Sequence, residues 1–85
     1  MIVQKQNDKG LLLVTKKDQI GRADSRLISL ISKINRELKG DVDSFYHGEE
    51  SYKEEDKVIL KFDWANKDKV LRLVKLSNFT ITVTE

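Results

Sequence analysis

The chain has 85 residues, with 16 Lys/Arg against 14 Asp/Glu, 39% apolar residues, no Cys and no Pro. That length makes a single domain with one modest core, so an enclosed pocket for a small substrate would consume much of it, which argues against an independent enzyme. The absence of Cys excludes disulfides and thiolate metal sites; Met1-Ile2-Val3-Gln4-Lys5 has no apolar run long enough for a signal peptide, and the longest aliphatic run, Leu11–Val14, is too short to span a membrane.

Those features predict a protein of the cytoplasm, either of its own cell or of an infected host. Ile2–Gln6 and Leu11–Thr15 flank Asn7-Asp8-Lys9-Gly10, a connection ending in Gly that reads as a β-hairpin. Leu27, Leu30, Ile31, Ile34 and Leu38 recur at steps of three and four and predict a helix over Asp24–Lys39, capped by Asp24 and stopped at Gly40. Asp43–Tyr52 and Lys57–Asp63 read as a second hairpin. In its return strand Val58, Leu60, Phe62 and Trp64 share one face, with Ile59, Lys61 and Asp63 on the other.

Asn66 is placed to cap a shorter helix to about Ser77, with Val70, Leu71, Leu73 and Val74 inward and Asn78 in the left-handed position that ends it. Phe79–Thr84 alternates strictly and predicts a last strand. The order β-β-α-β-β-α-β predicts an α+β domain in which an antiparallel sheet carries two helices on one face. Without its first strand this is the βαββαβ order of ferredoxin-like domains. In that arrangement strand 11–15 already has neighbours on both sides, which leaves no place for its hairpin partner.

Charge is unevenly distributed along the chain. Gly40–Asp56 holds seven carboxylates (Asp41, Asp43, Glu49, Glu50, Glu54, Glu55 and Asp56) against Lys53 alone, a balance of −6. Phe45, Tyr46 and Tyr52 are interleaved with them. Concentrated charge steers association and aromatics supply contact area, so this segment is the candidate surface for a basic protein partner. Where such a partner binds nucleic acid, a row of carboxylates imitates phosphates. Small, cysteine-free, Lys/Ile-rich chains of this kind are common among phage or mobile-element inhibitors.

The opposite charge offers an alternative. Arg22, Arg26, Lys33 and Arg36 fall on one stripe of the predicted helix, opposite its apolar stripe, with Lys16 and Lys17 just upstream. Such a stripe can track a phosphate backbone, each contact adding affinity through counterion release. An RNA-reading sheet would need aromatics on its open face, and the alternation places Phe62 and Phe79 with the core instead.

Signals for chemistry are weak. Asp41-Val42-Asp43-Ser44 opens like a calcium loop, but Phe45 and Tyr46 stand where that loop needs a ligand and its turning glycine. His47 has no partner that spacing identifies, and Ser25, Ser29 and Ser32 lie in no nucleophile elbow. No cofactor, metal or catalytic residue is expected. Phe79–Thr84 carries no charge before Glu85; as an edge strand it would invite dimerisation or strand addition.

The segment LLLVTKKDQIGRADSRLISLISKIN, followed by a strand pair, a helix and a final strand, resembles the small-molecule-sensing ACT domains in element order and in Gly21. It lacks the proline–glycine pair often found at that turn. The resemblance implies a ligand-sensing regulatory domain, a third reading beside the protein-binding module and the nucleic-acid binder.

Overall fold

The computed structural model describes residues 1–15, 23–44 and 57–85. Five strands and two helices follow the predicted order: β1 (Ile2–Gln6), β2 (Lys9–Val14), α1 (Ala23–Leu38), β3 (Val42–Ser44), β4 (Lys57–Asp63), α2 (Lys67–Leu76) and β5 (Thr82–Thr84). The fold is a small α+β domain.

The sheet order is β3-β4-β2-β1-β5. It resolves the conflict of placement: β1 occupies the slot between β2 and the last strand. β2, β3, β4 and β5 keep the relative order and directions of a ferredoxin-like sheet, while β5 pairs with β1 instead of β2. Because β1 runs antiparallel to β2, β5 pairs with β1 in parallel, so the sheet is mixed and not wholly antiparallel. Thr82 donates its N–H to the Met1 carbonyl at 2.9 Å, and the Met1 amino group donates to the Thr80 carbonyl at 2.7 Å.

The β1–β2 connection is tighter than its sequence implied. Gln6 pairs with Lys9, so Asn7 and Asp8 alone make the turn, with Asn7 in the left-handed region at φ 57°. Gly10 therefore lies within β2, opposite Phe62. Its role is clearance: a Cβ there would collide with the buried Phe62 ring.

Both helices close over one face of the sheet. That face contributes Val3, Leu12, Val14, Leu60 and Phe62; α1 contributes Leu27, Leu30, Ile31, Ile34 and Leu38, and α2 contributes Val70, Leu73 and Val74. The other face presents half-buried Ile2, Leu11, Leu13 and Lys61. One facing assignment fails. Between Leu12 and Leu13 the β2–β4 register shifts, with Leu12 opposite Leu60 and Leu13 opposite Val58. Ile59 is the extra residue of this bulge, and it is buried at 1% exposure while Val58 is exposed at 37%.

The helix ends also differ in detail. α1 begins at Ala23, one residue before the expected cap, and ends at Leu38, followed by Lys39 at φ 47° and Gly40 at φ 93°. Asn66 makes no capping bond; Asp63 instead accepts from the Ala65 N–H at 3.4 Å and caps the short turn Trp64–Asn66 that leads into α2. Asn78 does end α2, at φ 63°. The Phe79 N–H reaches the Val74 carbonyl and the Asn78 N–H that of Lys75, the paired bonds of a Schellman motif, with Val74 and Phe79 both buried beside them. The strand expected over 79–84 shortens to Thr82–Thr84, because Phe79 is used in this helix end.

Candidate functional site

The acidic segment is rooted at one edge of the sheet. β3 is an edge strand of three residues, and Gly40 and Asp41 lead into it directly from the end of α1. Asp41 and Asp43 are both exposed. On the open face Asp43 lies opposite Lys61, and Lys9 lies opposite Asp63. These four side chains, with Gly40, Asp41, Val42 and Phe62, line a groove of about 300 Å³. At its root, therefore, the acidic region is charge-mixed.

Phe45, Tyr46, His47, Glu49, Glu50, Tyr52, Glu54, Glu55 and Asp56 lie outside the described residues. Their attachment does not: Ser44 and Lys57 belong to antiparallel, hydrogen-bonded neighbours, so residues 45–56 leave and re-enter the domain at this edge. Among the described residues no group of three or more His, Cys, Asp or Glu could hold a metal ion.

The polar face of α1 divides by residue. Lys33 and Arg36 are exposed, opposite the buried stripe. Arg26 is engaged within the fold: its Nη2 donates to the Ser77 carbonyl at 2.9 Å and the Asn78 carbonyl at 2.7 Å, and its guanidinium lies 4.1 Å from the centre of the Phe79 ring. A guanidinium suits the negative end of α2, where carbonyls lack helical partners. An open groove of about 360 Å³ runs beside it, lined by Ser25, Arg26, Ser29, Lys33, Ser77 and Asn78. Lys16, Lys17 and Arg22 lie outside the described residues, as does Gly21, on which the likeness to ligand-sensing domains rests.

Two features escaped the sequence reading. Arg26 meets carbonyls more than fifty positions away, which helical spacing cannot show. Trp64 stacks on Phe62 with ring centres 6.3 Å apart, and Lys5 and Lys67 lie 5.7 and 5.4 Å from its centre. Phe62 and Phe79 are buried, so neither offers a surface for base stacking. No helix among the described residues is long and apolar enough to cross a membrane. Comparison with protein-family models, with curated proteins and with solved structures gave no match.

Proposed function

We propose that the protein is a non-enzymatic protein-binding module that engages a basic surface on another protein through the acidic segment Asp41–Asp56. The supporting observation is the attachment of that segment: both of its ends are anchored on paired strands at a sheet edge where Asp41 and Asp43 stand exposed. A −6 segment that leaves from β3 and returns into β4 brings concentrated negative charge to this end of the sheet, and such charge steers a basic partner. Asp41, Asp43, Glu49, Glu50, Glu54, Glu55 and Asp56 would set approach and register, and Phe45, Tyr46 and Tyr52 the contact area. The partner surfaces such a row fits are those that bind phosphates. On this reading the protein acts in the cytoplasm as an inhibitor of a nucleic-acid-binding host or defence protein, with size and composition as the support for encoding by a phage or mobile element.

The test is charge reversal within the acidic segment. Wild-type protein used as bait in a nuclease-treated lysate of the source cell should retain a stoichiometric protein partner, and the variant with Glu49, Glu50, Glu54 and Glu55 changed to Lys should lose it while unfolding at an unchanged temperature. Equal retention by both proteins sinks the reading.

The exposure of Lys33 and Arg36 favours a second reading, binding of nucleic acid along α1. It predicts that Lys33→Glu with Arg36→Glu weakens oligonucleotide binding and flattens its salt dependence. Arg26 is unsuitable for this test, because its loss also removes contacts to α2.

A further inference from the structure

We propose that β5 pairs with β5 of a second copy, antiparallel and centred on Val83, to join two sheets into one across a two-fold axis. The proposal goes beyond the acidic-segment reading and stands or falls independently of it.

The argument begins with backbone direction. Among the described residues, β5 is the sheet edge opposite β3 and pairs with β1 alone. The Thr82 N–H points to β1, where it meets the Met1 carbonyl at 2.9 Å. Backbone polar groups of successive strand residues point to opposite sides, so the N–H and C=O of Val83 point to the open edge. Two copies placed antiparallel with Val83 opposite Val83 satisfy these groups reciprocally: each N–H donates to the carbonyl of the other copy. That is the hydrogen-bonded pair of an antiparallel ladder and the self-complementary contact a two-fold interface requires.

Side chains agree with that register. Thr82-Val83-Thr84 reads the same in both directions, so pairing at Val83 sets Thr82 opposite the other copy's Thr84 and valine opposite valine. Such Thr–Thr and β-branched pairs are favourable across strands. Val83 is 42% exposed, the side chain of β5 that gains most by being covered from the helix side. The strand itself brings no charge to the approach: Phe79–Thr84 has none, and Glu85 lies 3.5 Å from Lys67.

The other edge excludes itself. Symmetric pairing of β3 about its central residue would bring Asp43 against Asp43 and the two −6 segments together. The second copy is therefore the occupant that fits β5 with its own sequence. With three residues in the ladder, the dimer should be weak and concentration-dependent.

Sedimentation of the whole chain over a concentration series, combined with amide exchange at Val83, tests this. The expected result is a monomer–dimer equilibrium in which the Val83 amide becomes protected as dimer accumulates. Val83→Pro removes the outward N–H without removing a donor to β1, and Val83→Lys sets two cations against each other at the axis. Each should weaken dimerisation about tenfold or more, while circular dichroism shows the fold retained. A single monomeric species up to about 1 mM overturns the proposal. So does a dimer whose Val83 amide stays unprotected or that both variants leave unchanged, or growth into species larger than a dimer, which would mark head-to-tail pairing.

Discussion

Two residues show how much of this fold depends on what a side chain lacks or can reach. Gly10 sits mid-strand, where glycine is usually a cost, because the Phe62 ring occupies the space of its missing Cβ. Gly10→Ala forces a fully buried ring to move and should destabilise the domain by about 1–3 kcal/mol, read as a lowered midpoint in denaturant. Arg26 acts by reach, joining α1 to two carbonyls at the end of α2. Its replacement by Ala should cost roughly 1.5–3 kcal/mol, the range for hydrogen bonds to a charged group. Arg26→Lys should recover little, because a single ammonium does not reproduce the planar fork that serves both carbonyls and stacks on Phe79. Full stability in the lysine variant would show that charge alone suffices there.

At the scale of elements, α1 ends in two residues of positive φ, and the first of them is a lysine. A side chain in that region costs about 1–2 kcal/mol that glycine avoids, so Lys39→Gly should stabilise the protein by about 1 kcal/mol, visible in thermal or denaturant unfolding. Most elements were legible from periodicity. The apolar stripe of α1 is the five residues that recur at helical spacing, and all are buried. Ile59 was not legible. Strict alternation assigned it to the open face, but Val58-Ile59-Leu60 is a continuous apolar run, in which a bulge can turn either neighbour inward. The cap of α2 was misplaced for a related reason: Asp63 and Asn66 both suit a helix start, and the short turn at Trp64 decides between them. At the candidate site, the acidic residues stood out by composition, whereas the lysines facing Asp43 and Asp63 appear only once strands are paired.

For the whole molecule, opposite sheet edges carry opposite characters. The β3 edge is charged and leads into the acidic segment, while the β5 edge is neutral and ends a parallel pair. Binding through the first should weaken steeply between low and physiological salt, whereas self-association through the second should change little, and one titration series in sodium chloride separates them. The insertion of β1 between β2 and β5 also bears on how the chain folds. The Met1–Thr80 bond joins residues 79 apart, and the Thr82–Met1 bond lies beside it, whereas the β1–β2 hairpin closes through two turn residues. Loop-closure entropy makes such distant contacts late to form and early to open. The expected order places β5 last onto a sheet already assembled from β1 to β4, with the Thr82 amide exchanging faster than those of β2 and β4. The neutral edge would then be the final piece of the native state to appear, which shortens the time an unfinished chain presents it to its neighbours.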